Sequence, residues 1–463
     1  MFSGRFLQSE TFDATLCESD LGKRCLRFFL VLTLGGFSDI SKSVDAAQPF
    51  AAHISSFLAK PLINVSDITF RTSDSDIEYA VHRFILSVRS EYFSNKLSGV
   101  WSSDSLVRLE DGIQGTAFSF ILKYIYLFDQ SLPLKDDLMM ENLEVAARKL
   151  QLVGLLEHIK DATGKREQGV KAQAQRRRDQ RELDMWKARL QFEVFLEKKV
   201  IGSKVELGSE DPDLSAADIE NMCQPDASPD VILEVELADG GAVYYPCHKA
   251  MLVRSDYYLA MFTSPFMEGE PDNIPIIQLP VDSIEVAELI LTYIYTDKTD
   301  VPVDRAMEVL YAADMLLLER LKTFSAISIT NCGNNLPESL SVFEILRAGW
   351  TLRIDRLEKY VAKYIANNLD GYIAMPEFRD IVIESAQRIQ ARQETDTIEL
   401  IDDVRFYLAK KYGIIFEDEQ DAENTKSIGK VYDEYLDISQ YERDYNSKLD
   451  QIDDLLENLH LDA

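Results

Sequence analysis

Residue types that build catalytic and metal sites are thin in this sequence, with five histidines and five cysteines among 463 residues. Cys17, Cys25, Cys223, Cys247 and Cys332 are odd in number and show no short repeating spacing. That excludes a disulfide framework and a zinc ribbon, and it fits a reducing compartment. There is no glycine-rich phosphate loop, no His or Cys pair at metal spacing and no Gly-x-Ser-x-Gly elbow. Catalysis needs a nucleophile, a base and a charge stabiliser at one point, so no enzymatic activity and no cofactor are expected. Cys247 beside His248 looks like a thiol and base pair, but neighbours along a strand point to opposite faces.

Positive charge is also scarce: 49 Lys and Arg oppose 79 Asp and Glu, a net charge of -30. Such a field repels phosphate, which argues against nucleic acid and against an anionic membrane surface. Long apolar runs are missing. Phe28 to Leu34, behind Lys23, Arg24 and Arg27, is too short to span a bilayer and lacks a small-x-small cleavage site. A buried strand or helix is expected there, and a cytoplasmic location for the chain, with the nucleus as a second compartment.

Core formers, by contrast, are plentiful, at 46% hydrophobic and 10% aromatic, and the length suits about three domains of roughly 150 residues. The organising feature is a repeat. Asp67-Ile-Thr-Phe and Tyr79-Ala-Val-His-Arg lead to Arg89-Ser-Glu-Tyr-Phe93; Asp230-Val-Ile-Leu and Tyr245-Pro-Cys-His-Lys lead to Arg254-Ser-Asp-Tyr-Tyr258. Further on, Tyr124-Ile-Tyr126 returns as Tyr293-Ile-Tyr295, and Ala146-Ala147 as Ala312-Ala313. His82 and His248 are 166 residues apart, Tyr124 and Tyr293 169. A register held this steadily means one domain used twice.

Each copy reads as a hairpin leading into the His, a helix opened by Ser90 or Ser255, a third short strand, and then helices. The last of these is expected over Leu143 to Leu155 and over Met307 to Leu321. His82 to Arg89 spans seven residues but His248 to Arg254 six, so the second copy has one residue fewer in that link. Both histidines read as satisfied core residues. Between the copies, the mixed charges around Arg176 to Arg181 predict a solvated helix joined by i,i+4 pairs, favoured over a nuclear signal or RNA contact. Glu206 to Pro229 reads as a flexible connection. Later, Pro337 suits a first helical turn, with Gly349 as a left-handed end to that helix. The acidic tail carries Leu449, Ile452, Leu456 and Leu459 at spacings that predict a docked terminal helix.

Taken together, the leading Asp, the His with Arg or Lys, the Arg-Ser-acid-Tyr-aromatic run, the Tyr-Ile-Tyr and the Ala-Ala helix resemble the BTB/POZ domain. The chain then divides into an unassigned segment 1–60, a first BTB/POZ-like domain 61–160, a charged helical spacer and linker 161–225 and a second BTB/POZ-like domain 226–330. A helical region 331–415, similar by position to the BACK region of BTB adaptors, and a tail 416–463 complete it. The fold class is α+β. Two such domains resemble the ankyrin-repeat and BTB/POZ proteins, although no thirty-three-residue repeat is visible in 1–60.

The resemblance implies pairing of BTB faces, within one chain or between chains. It also implies buried charge pairs of Asp67 with Arg83 and Asp230 with Lys249 near that face; a strand-start acid and a solvated base is the alternative. As function it implies a substrate adaptor holding a cullin-3 ubiquitin-ligase scaffold and an unknown substrate protein. Phe266-Met267-Glu268 resembles the hydrophobic-x-Glu element that contacts cullin 3, whereas Leu97 to Trp101 of the first copy lacks a matching Glu. A translation elongation factor is a further partner implied by the resemblance. The competing reading is a scaffold or regulatory protein without a ligase.

Overall fold

A computed structural model describes residues 49–59, 65–75, 77–164, 170–210, 214–263, 274–390, 398–414 and 438–461. Helix α1 (Pro49–Ala59) precedes the first copy. There, strands β1 (Ile68–Arg71) and β2 (Glu78–Val81) form the expected antiparallel hairpin, with Ile68 opposite Val81 and Phe70 opposite Tyr79. Alternation places Ile68 and Phe70 in the core. Helices α2 (Arg83–Arg89) and α3 (Glu91–Ser98) follow, and β3 (Leu106–Arg108) returns parallel to β1. The Ser90 hydroxyl accepts from the Phe93 amide and donates to the Leu150 carbonyl, so one cap also ties α3 to a later helix.

Helices α4 (Gly115–Ile125), α5 (Asp137–Lys149) and α6 (Val153–Gly164) close the copy. The single helix expected over Leu143 to Leu155 is thus two. Gln151 adopts a left-handed φ of 52°, and the Leu152 amide donates back to the Ala147 carbonyl at 2.9 Å. Leu317, at φ 54°, breaks the second copy in the same way. Left-handed helix ends are usually marked by glycine, and neither copy has one here.

The spacer differs most from expectation. Helix α7 (Val170–Phe195) buries Met185, Ala188, Phe192 and Phe195 along one side, with a π-turn at Leu196–Val200 behind it. A stripe at spacings of three and four is a packed face, not a solvated one. The connection then adds β4 (Val205–Leu207), antiparallel to the edge of the second sheet, and α8 (Ala216–Met222), which opens in a reciprocal cap between Ser215 and Asp218. Met222 packs with Ile232, Ala242 and Tyr244 as a small second core on the outer face of that sheet.

The second copy repeats the first with β5 (Val231–Glu236), β6 (Ala242–Cys247), α9 (Lys249–Leu252), α10 (Asp256–Thr263), β7 (Ile276–Gln278), α11 (Ile284–Thr296), α12 (Ala306–Met315) and α13 (Glu319–Thr330). Its sheet order is β4-β6-β5-β7, against β2-β1-β3 in the first. The missing residue shortens α9 to a single turn, yet Arg254 and Ser255 keep the roles of Arg89 and Ser90. Arg89 donates to the last carbonyl of α4, Ile125. Arg254 donates to Tyr293 and Ile294 at the end of α11. Both are cations on a helix C-terminus.

Behind the second copy come α14 (Val342–Leu352), α15 (Asp355–Asn367), α16 (Leu369–Tyr372), α17 (Pro376–Gln390), α18 (Glu399–Lys411) and α19 (Ile438–Leu459). Ser341, not Pro337, caps α14, and Arg353 in the left-handed conformation ends it. Gly349 lies inside the helix, where a Cβ would stand 3.0 Å from Glu358 Cγ and 3.3 Å from Leu357 Cβ. It is there so that α14 and α15 can approach closely. Helix α19 buries Ile452, Leu455 and Leu456 against α17 and α18. One apolar core runs from Phe50 through both copies to Leu456. Phe28 to Leu34 and the start of the acidic tail at Glu417 lie outside the described residues.

Candidate protein interaction surfaces

The repeated histidines sit at the N-terminal ends of α2 and α9, 3% and 1% exposed. The Tyr295 hydroxyl lies 2.7 Å from His248 Nδ1 and accepts the His248 backbone N–H, while His248 Nε2 faces the Ala227 carbonyl at 2.8 Å. That carbonyl only accepts, so Nε2 carries the proton and the phenol donates to Nδ1. His82 and Tyr126 repeat the contact at 2.8 Å. Burial lowers both imidazoles to about 4, so each ring is neutral near pH 7. Burial also pushes the Cys247 thiol up, which leaves it without thiolate character.

The carboxylates of Asp67 and Asp230 are strand-start acids with a specific task. Asp67 Oδ1 accepts the backbone N–H of Arg83 at 2.8 Å, and Asp230 Oδ1 that of Lys249 at 2.7 Å. Each therefore binds the first amide of a helix, where the positive end of the dipole favours an acid. The side-chain charge pairs implied by the resemblance are not the contacts made. The Arg83 guanidinium donates instead to the carbonyls of Trp101 and Asp104, and Lys249 Nζ lies over the Phe262 ring at 5.9 Å. Burial raises both carboxyls to about 6, with Asp67 adding to the rise at Asp230.

These groups face one another across a junction between the two copies. The Phe84 ring stacks on His248 at 4.3 Å, and Phe195 approaches the same imidazole at 5.5 Å. Phe57 of α1 meets His82 edge-on at 4.9 Å. Also on α1, His53 Nε2 donates to the Ala250 carbonyl of α9 at 2.8 Å, and Phe50 meets Phe192 at 5.3 Å. Beside them Asp297, 1% exposed and left-handed at φ 63°, ends α11. It pairs with Arg254 and Arg320 and lies 4.0 Å from Arg189 of α7. So α1 and α7 cement the two domains to each other.

Phe266, Met267 and Glu268 lie outside the described residues, in the connection between α10 and β7. Their counterpart Leu97 is fully buried in the core, and Trp101 packs on Phe70 and Tyr92. A second surface was not foreseen from sequence: a cleft of about 730 Å³ between the end of α4 with its following loop, α6 and α7. The α7 stripe was readable in Met185, Ala188, Phe192 and Phe195, but its charged neighbours obscured it.

Duplication of one domain is also what comparison with known proteins finds. The sequence profile of the BTB/POZ domain matches residues 59–166 and 219–331. The chain is 34% identical over 463 residues to BTB/POZ domain-containing protein 3 of Schizosaccharomyces pombe, covering 97% of this chain and 80% of that protein. It is 34% identical over 426 residues to Ankyrin repeat-containing protein YIL001W of Saccharomyces cerevisiae, covering 88% and 81%. Kelch-like protein 6 of Homo sapiens is 30% identical over 172 residues, 37% of this chain and 26% of its own. With similarity that runs nearly end to end and two copies of the domain folded face to face, the chain belongs to the BTB/POZ domain family.

Proposed function

We propose that this protein is an adaptor without catalytic activity of its own, which holds a cullin-3 type ubiquitin-ligase scaffold on its second BTB domain and presents a substrate protein to it. The observation that carries the reading is the junction. Phe84, His248, Phe57 and Phe192 occupy the faces through which the two domains meet, so one chain supplies a paired BTB unit and its outward surfaces remain for other proteins. A protein-interaction role follows from the family; the cullin assignment rests on the likeness of Phe266-Met267-Glu268 to the hydrophobic-x-Glu element.

Calorimetry with the cullin-3 N-terminal region tests it. The double change Phe266→Ala and Glu268→Ala is expected to weaken binding at least about tenfold, or ~1.4 kcal/mol, at an unchanged melting temperature. No binding by the unaltered protein, or equal binding by the variant, removes the assignment. Purification of the native complex is then expected to return scaffold proteins and clients but no cullin, with a translation elongation factor as one named candidate.

A further inference from the structure

We propose that the cleft between α4, α6 and α7 is a docking site for a short segment of a partner protein in which leucine or aromatic residues are flanked by lysine or arginine. The inference extends the adaptor reading by giving the chemistry of a client, and it stands whether or not the chain binds a cullin.

The floor is apolar. Phe120, Tyr124, Phe128 and Leu155 line it, with Met185 contributed by α7. Phe120, Tyr124 and Phe128 are only half-buried, and a volume of about 730 Å³ lies within the usual range for ligand clefts, roughly 300 to 1,000 Å³. The rim is acidic. Asp136, Asp137 and Asp161 stand around it against Lys135, while Asp129 pairs with Arg181 and burial raises the Asp184 carboxyl. His158 adds no positive charge at neutral pH, because burial lowers its pKa. An apolar segment bearing cations gains at both levels, whereas an acidic one is repelled.

The second copy supplies the internal control. There Phe324 takes the place of His158, meeting Tyr293 edge-on at 6.1 Å, and Ser328 Oγ donates to the Val301 carbonyl at 2.7 Å. Helix α15 backs the corresponding helix α13. The same place is thus filled differently in the two copies, and in the first α7 adds a wall.

The test is selection of random displayed peptides on the full chain, followed by fluorescence anisotropy of the selected peptides. Selected peptides are expected to combine Leu or Phe with Lys or Arg, and to weaken as salt rises. Phe128→Ala is expected to reduce their affinity about tenfold. Asp161→Asn, at an exposed position, is expected to reduce it a few-fold and to flatten the salt dependence, with melting temperatures checked for both variants. Selection of no peptides, of acidic ones, or of basic ones indifferent to both changes would overturn the proposal. So would dimers of the chain that Phe128→Ala dissolves, which would assign the cleft to a second copy of the protein.

Discussion

His82 and His248 show how a polar side chain survives in a core: each ring is neutral and meets a phenol that also satisfies the adjoining backbone amide. Removing the ring leaves a buried hydroxyl and a cavity. His82→Ala is therefore expected to cost about 2–4 kcal/mol, read by chemical denaturation. A turnover signal lost without any loss of stability would contradict this structural role.

Acid should act at the same residues. The folded chain holds His82 and His248 at about 4 and His53 at about 3, below the ordinary 6.5. The unfolded chain takes up these protons first, so stability is lost as pH falls from about 6.5 toward 4. Asp230, raised to about 6, acts in the opposite sense, since its folded form gains a proton between about 6 and 4. Asp67, raised to about 6 as well, acts in the same sense. Three histidines outweigh the two carboxyls, so melting temperature should fall between pH 6.5 and 4.5. Asn can still cap α9, so Asp230→Asn should keep stability near pH 7 and steepen that fall; an unchanged slope would show that Asp230 is not raised.

The elements legible in the sequence were those whose period and punctuation agree: the hairpins after Asp67 and Asp230 and the Ser-capped α3 and α10. Those that escaped lacked a local marker. Gln151 and Leu317 turn left-handed without a glycine. Gly349 carries one and does not turn, because its missing side chain serves a helix crossing. Gly349→Ala shows which effect wins: helix propensity favours Ala by about 1 kcal/mol, but overpacking costs about 1–3 kcal/mol. With Leu357 Cβ only 3.3 Å away, net destabilisation is expected, and a raised melting temperature would mean that α15 shifts freely.

On α7, Phe192 is fully buried between Phe50 and Phe84. Phe192→Ala is expected to cost about 3–5 kcal/mol. Because α7 touches both copies, scanning calorimetry should show the single transition of the parent dividing into two. The site was harder to read than the fold. The repeat pointed to Asp67, His82, Asp230 and His248 as a set, but only the three-dimensional arrangement brings Phe84 onto His248 and opens the cleft beside α7.

At the scale of the molecule, pairing within the chain uses tethered partners, whose effective concentration lies in about the millimolar range. Light scattering should therefore give the mass of one chain across a wide range of dilution. A dimer that survives dilution would mean that the faces pair between chains instead.

The junction has a consequence for synthesis. Phe57 and Phe84 emerge from the ribosome well ahead of His248, the residue that covers the Phe84 ring. At about 5–20 residues per second, His248 follows Phe84 after roughly ten to thirty seconds. During that interval the nascent first domain displays the part of the Phe84 face that His248 will cover, and neighbouring ribosomes on one message display the same surface close by. Exchange between nascent chains is then the natural error of this architecture, and α1 and α7, which clamp the two halves once both exist, are what makes the correct outcome hard to reverse.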